Sequence, residues 1–165
     1  MEFNPEALAA ADRYKLMIGG IVPRPIAWVS TISPAGKTNL APFSFFCGVG
    51  SDPMTVLFCP ANKPDGSEKD SLLNARMNAE GGTGEFVVNI VSEAVAKAMA
   101  YCATPLPYGD SEFDLAEVKA LGVTPAASRL VAPPRVAESP LSFECRTVQV
   151  IRTNPGVPAG GNIVI

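Results

Sequence analysis

The sequence has no histidine. That removes the commonest general base, the commonest metal ligand and every histidine-dependent triad. Any catalysis must use other groups, or a cofactor that brings its own chemistry. Charge is sparse: 18% of residues are Asp, Glu, Lys or Arg, and the net charge is −3. With no basic run and no Lys/Arg interleaved with aromatics, the electrostatic footprint of a nucleic-acid binder is missing. The four cysteines, Cys47, Cys59, Cys102 and Cys145, are far apart and form no CxxC pair. We expect buried free thiols rather than a disulfide framework. No apolar run approaches the length of a membrane span. The acidic start, Met1-Glu2-Phe3-Asn4-Pro5-Glu6, lacks the pattern of a signal peptide, so a cytoplasmic protein is the expectation. Gly81-Gly82-Thr83-Gly84 has neither dinucleotide-binding nor P-loop spacing and precedes a strand, so it reads as a loop.

What is present is an ordinary globular composition, 47% hydrophobic over 165 residues, enough for one domain with a real core. Sixteen prolines and fourteen glycines favour a β-rich fold with many turns. Asn4-Pro5 reads as a helix start, leading into a weakly amphipathic helix that ends at Gly19-Gly20. Residues 54–59 read as a buried strand, and residues 85–91 as a strand rich in β-branched residues. Ser92 is placed to cap a helix with Val95, Ala98, Met99 and Cys102 on one face. A short helix over 114–121 closes at Gly122. Residues 141–152 alternate Leu141, Phe143, Cys145 against Ser142, Glu144, Arg146 and read as the longest strand. The sequence stops inside an apolar strand, so we expect a single domain over 1–165 that is truncated at its C-terminus. About six strands with short helices in the loops, without regular βαβ alternation, indicate a small β-barrel or sandwich.

Two stretches could carry chemistry. Pro23-Arg24-Pro25-Ile26-Ala27-Trp28-Val29-Ser30-Thr31 and Asn39-Leu40-Ala41-Pro42-Phe43-Ser44-Phe45-Phe46 flank a Pro/Gly turn and read as a hairpin. Its second run holds a proline and belongs at a sheet edge or in an irregular strand. Hydroxyls, backbone NH groups and flat rings together suit a flat, phosphate-bearing ligand. Yet such hydroxyls are commonly satisfied by local backbone, and such aromatics commonly fill cores. Arg24, between two prolines, could contact an anion or form a surface ion pair. Lys69-Asp70-Ser71 opens a helix and offers a phosphate cradle, or Asp70 simply caps that helix while Lys69 is solvated. The acidic pairs Asp110/Glu112 and Asp114/Glu117 read as a solvated helix start.

The hairpin motifs, Lys69-Asp70-Ser71 with Asn74, Glu85-Phe86-Val87-Val88-Asn89, Ser111-Glu112-Phe113 and residues 138–145 occur in one order. Together they resemble the flavin reductase-like, FMN-binding split-barrel family, which includes reductase components of two-component flavin monooxygenases. The resemblance implies a mainly β fold, a Greek-key split β-barrel with short helical insertions, and a homodimer with FMN near the subunit interface. It implies that Ser30 and Thr31 approach the isoalloxazine edge, and that Asn39, Leu40 and Ala41 contact the flavin and ribityl chain. Ser44, Asn62, Lys69 and Ser71 would serve the phosphate. The implied activity is hydride transfer from NAD(P)H to FMN, with a monooxygenase or other electron acceptor as partner. The alternative is a non-enzymatic FMN-binding electron-transfer protein. The absent histidine agrees with hydride transfer, which needs stacked rings rather than a protein base.

Overall fold

The computed structural model describes residues 2–165. Two four-stranded antiparallel sheets face each other. The first runs β2 (Thr38–Phe43), β1 (Ala27–Ile32), β5 (Glu85–Ile90), β8 (Ser142–Arg146). The second runs β3 (Phe46–Ser51), β4 (Met54–Phe58), β10 (Asn162–Val164), β9 (Val150–Arg152). A small ribbon pairs β6 (Pro125–Ala126) with β7 (Arg135–Val136). The helices are α1 (Ala10–Gly20), α2 (Asp70–Ala75), α3 (Ala96–Tyr101) and α4 (Ala116–Ala120).

The expected hairpin is β1–β2. Ser30 lies opposite Leu40 and Thr31 opposite Asn39, and the turn closes with Ser33 N–H donating to the Lys37 carbonyl at 2.8 Å. Gly36 takes φ +78° there, a conformation that a side chain would strain. β2 is an edge strand, which is how it tolerates Pro42. β1 is an inner strand covered on both sides. Ala27 and Val29 join Phe43, Phe58, Phe86, Val88 and Val164 between the sheets. Trp28 points the other way, into a second core with Leu40, Val95, Ala98, Cys102, Phe113 and Val118 under α3 and α4. Burial on both faces explains why β1 reads as a continuous apolar run rather than an alternating one.

Several expectations need correction. Residues 141–152 are two strands, not one: β8 belongs to the first sheet and β9 to the second, and the chain crosses between them at residues 147–149. The hydroxyl of Thr147 donates to the Ala75 carbonyl at 2.6 Å and fixes that crossing. Asn4 does cap, with its Oδ1 accepting from Glu6 N–H, but it starts a 3-10 turn (Pro5–Ala7); the helix begins at Ala10. Ser92 makes no side-chain cap, and a 3-10 turn (Glu93–Val95) precedes α3. The thiols are free, yet only Cys102 is fully buried and Cys47 is exposed on β3.

Among the described residues Arg24 forms no ion pair; it binds backbone and a hydroxyl instead. Its Nη1 donates to the carbonyls of Ile18 (2.5 Å) and Ile21 (2.6 Å), and its Nε donates to Ser44 Oγ (3.3 Å). A charged donor thus satisfies carbonyls at the C-terminal end of α1 and ties that helix to the hairpin. No residue of α1 is buried, so this tie is its main attachment. Arg24→Ala will cost about 2 kcal/mol of local stability. Amide exchange in α1 will accelerate strongly while exchange in β1 and β5 changes little; equal protection of α1 in both proteins would refute this.

Candidate functional site

A cleft of about 620 Å³ opens between β2, the loop before α2, and the segment after α3. One wall is Ala41, Pro42 and Phe43 of β2; Pro105 and Leu106 face into the same space. The polar end carries Asn39, Asn62, Lys63, Lys69, Asp70 and Ser71. The two stretches singled out in the sequence therefore meet, and they do so directly: Asn39 Nδ2 donates to Ser71 Oγ at 2.9 Å. Both residues are nearly buried, so this bond forms the rear of the polar end.

α2 begins at Asp70, and Lys69 is the residue before it, with no side-chain cap. Asp70 is thus not the cap that the sequence suggested. Its Oδ1 accepts from Lys63 Nζ at 2.6 Å, which neutralises it within the cleft. Lys69 has no carboxylate partner among the described residues, and its ammonium lies 5.6 Å from the centre of the Phe43 ring. The residue as a whole is exposed, yet desolvation of its ammonium by the surrounding cleft and then the nearby Lys63 lower its pKa from the ordinary lysine value. The cleft thus offers one uncompensated cation beside a flat apolar wall.

Of the nine residues expected at a ligand, Asn39, Ala41, Asn62, Lys69 and Ser71 line the cleft. Asn62 does so while fully engaged: its Nδ2 donates to the Val157 carbonyl at 3.0 Å, and its Oδ1 accepts from Asn162 Nδ2 at 2.8 Å. Ser30, Thr31, Leu40 and Ser44 lie outside the lining. Ser30 is fully buried, its hydroxyl bonded to the Pro134 carbonyl and to Asn89 Nδ2. Thr31 Oγ1 accepts from Asn74 Nδ2 at 3.1 Å. Leu40 packs in the core beneath α3 and α4, and Ser44 receives Arg24.

Glu112 overturns the expectation of a solvated carboxylate. It opens a 3-10 turn (Glu112–Asp114), is 5% exposed, and faces the cleft. Its Oε2 accepts from Leu40 N–H at 2.7 Å. Burial pushes its pKa up to about 7; the Leu40 bond acts against that and the Asp70 charge adds to it. Lys63, the cation that pairs Asp70, was likewise not singled out, because nothing distinguishes it within its polar loop. For Glu112 the only sequence signal was its place in Ser111-Glu112-Phe113. The arrangement suits a flat ring system carrying an anionic group: apolar wall for the ring, Lys69 for the charge, amide and hydroxyl groups for orientation. Among the described residues no helix is long and apolar enough to cross a membrane.

Residues 19–164 match the model of the flavin reductase like domain. A protein of Deinococcus radiodurans is 44% identical over 154 residues, covering 90% of this chain and 63% of its own length. One from Halalkalibacterium halodurans is 38% identical, covering 98% of this chain and 69% of its own length. The chain thus spans about two thirds of these relatives. Among solved structures, nitrilotriacetate monooxygenase component B from Bacillus cereus aligns with TM-score 0.85 at 32% identity, over 99% of this chain and 77% of that one. The 2-nitrobenzoate 2-nitroreductase of Pseudomonas fluorescens aligns at 0.76 and 27%, over 99% and 72%. A split-barrel protein from Shewanella frigidimarina aligns at 0.73 and 21%, over 99% and 75%, and shares the fold. The two facing sheets are therefore a split β-barrel.

Proposed function

Since the chain belongs to the flavin reductase-like family, we propose that it binds FMN in the 620 Å³ cleft and acts as an NAD(P)H-dependent flavin reductase. The observation that carries this reading is the convergence of Asn39, Lys69 and Ser71, from separate stretches, on one cleft with a flat apolar wall. The residues fit the group. Lys69 supplies the charge for a phosphate, Asn39 and Ser71 the polar lining beside it, and Ala41, Pro42 and Phe43 a surface for a planar ring. Bound FMN would supply the hydride-accepting chemistry that no side chain here provides. The protein's part is orientation, charge and exclusion of water. Ser30, Thr31 and Leu40 serve from behind: Ser30 ties β1 to the Pro134 carbonyl and to Asn89 of β5, Thr31 ties it to Asn74 of α2, and Leu40 packs β2 against the core beneath α3 and α4. The protein is cytoplasmic and homodimeric on this reading, and the electron acceptor is a monooxygenase partner, by analogy with the component B relative.

A flavin titration followed by an NAD(P)H oxidation assay tests this. Oxidation that rises with added FMN is the expected result. FMN binding without turnover would remove the reductase reading and leave an electron carrier; no FMN binding would remove both. Lys69→Ala will weaken FMN about ten- to a hundredfold, the size of a lost charge-assisted contact, and leave riboflavin affinity unchanged. Asn39→Ala will weaken both ligands about fivefold. An unaltered FMN affinity in both variants would show that the ligand sits elsewhere.

A further inference from the structure

Glu112 is unusual among the cleft groups in being buried, acidic and without a cation. Its turn is held against the edge strand by a hydrogen bond between Ser111 Oγ and Thr38 Oγ1 at 2.8 Å. The inner edge of β2 pairs with β1, and Leu40 N–H, on the outer edge, donates to Oε2. Oε1 has no hydrogen-bond partner in another described residue, although Glu112 lines the cleft, as do Asn39 and Cys102.

The charged surroundings are one-sided. On α2, Asp70 adds negative potential and is itself paired with Lys63. At the C-terminal cap of α3, burial pushes the Cys102 thiol up to about 12, so it stays neutral. On the turn itself, Asp114 pairs with Lys119 of α4 at 2.8 Å. β2 brings Asn39 and Leu40, which carry no charge. Lys63, Asp65 and Lys69 border the cleft on the loop side, and none forms an ion pair with Glu112. A carboxylate held here would be a buried, unpaired anion, and an incoming phosphate-bearing ligand would worsen its position.

We propose that Glu112 enters the ligand complex as a neutral carboxylic acid, Oε2 accepting from Leu40 N–H and Oε1–H donating to an acceptor atom of the bound ring system, so that binding takes up a proton from solvent. This matches the inventory of a protonated carboxyl, one donor and one free acceptor, to the one fixed donor and the open side of the site. A flavin ring, with carbonyl oxygens and imine-type nitrogens on its polar edge, is the acceptor on the reading above, and the inference rests on that reading. Glu112 is then a specificity contact that favours rings presenting an acceptor. Its elevated pKa agrees: much of the population is already protonated near neutrality.

The experiment is titration calorimetry of FMN and of riboflavin at several pH values, each in two buffers of different ionisation enthalpy. Riboflavin lacks the phosphate, whose own titration near pH ~6 would otherwise contribute. Both ligands should bind with proton uptake, and affinity should fall by up to about tenfold per pH unit above neutrality. Glu112→Gln retains a donor and an acceptor, so it should keep the affinity seen at low pH while losing both the proton uptake and the pH dependence. Wild-type riboflavin binding with no proton uptake overturns the proposal whether or not the variant folds, as does a Glu112→Gln protein with unchanged pH dependence. Absence of binding by either ligand at every pH overturns the flavin reading, and this inference with it.

Discussion

Phe58→Ala will lower the stability of the protein by about 3–5 kcal/mol, as measured by urea unfolding. Phe58 ends β4 in the second sheet, yet its ring lies 5.2 Å from Phe43 and 5.2 Å from Phe86, both in the first sheet. The ring pairs are tilted by 45° and 58°, an arrangement that adds to simple burial. The side chain is fully buried, with Val164 paired beside it and Leu72 in the same cluster. Truncation removes a large apolar volume at the point where both sheets and α2 converge, and the surrounding strands cannot close over the void. Met54, at the other end of the same strand, is 75% exposed, and Met54→Ala should stay within about 0.5 kcal/mol of the wild type. A loss below about 1.5 kcal/mol for Phe58→Ala would mean that the sheets do not share this core.

The second large effect is a pH dependence of stability. Glu112 has its pKa raised from 4.5 to about 7 in the folded protein, chiefly by burial. Between these values the folded state holds a proton that the unfolded state has released. Stability from this group is therefore greatest at the acid end of the window and declines as pH rises through it, levelling off above about pH 7. The decline is on the order of 3 kcal/mol. Carboxylates whose pKa is lowered, such as Glu138 and Glu144, act in the opposite sense and mostly below this window. The difference between wild type and Glu112→Gln, taken from chemical unfolding at each pH, isolates the contribution. The variant should match the wild type at the acid end and exceed it near neutrality and above. A difference that does not vary with pH would rule the burial argument out.

The parts of this molecule that were legible in its sequence are those whose causes are local. The β1–β2 hairpin follows from two β-type runs and a Pro/Gly turn, and the edge position of β2 follows from Pro42. β5 follows from its β-branched run, and the buried face of α3 from the spacing of Val95, Ala98 and Cys102. Residues 141–152 were illegible for the opposite reason. Their alternation changes phase after Arg146, with Thr147 and Gln149 polar and Val148 and Val150 apolar, a shift that a bulge within one strand would also produce; the break itself is made by a distant carbonyl, that of Ala75, together with the pairing of residues 148 and 149 with Ile165. Within the site, Lys69, Asn39 and Ser71 could be found because cationic and amide groups beside flat residues suggest a ligand. Ser30 and Thr31 look the same in sequence, but the sheet turns their hydroxyls to Pro134 and Asn74. Glu112 escaped because its partner is a backbone N–H 72 positions away, which no side-chain pattern can announce.

The engagement of Asn62 has a kinetic meaning. Asn62 and the neighbouring carbonyl of Pro60 are both held by Asn162, across 100 and 102 positions of sequence. At Gly66, φ is +85° and the Gly156 carbonyl occupies the space a β-carbon would need, so the same two loops touch again without room for a side chain. The cleft's loop therefore takes its shape only after β10 has entered between β4 and β9. Contacts this far apart in sequence carry the largest closure entropy and form late. In a refolding experiment, flavin binding will lag behind the recovery of β1–β5 amide protection, so the ligand reports completion of the barrel rather than its nucleation.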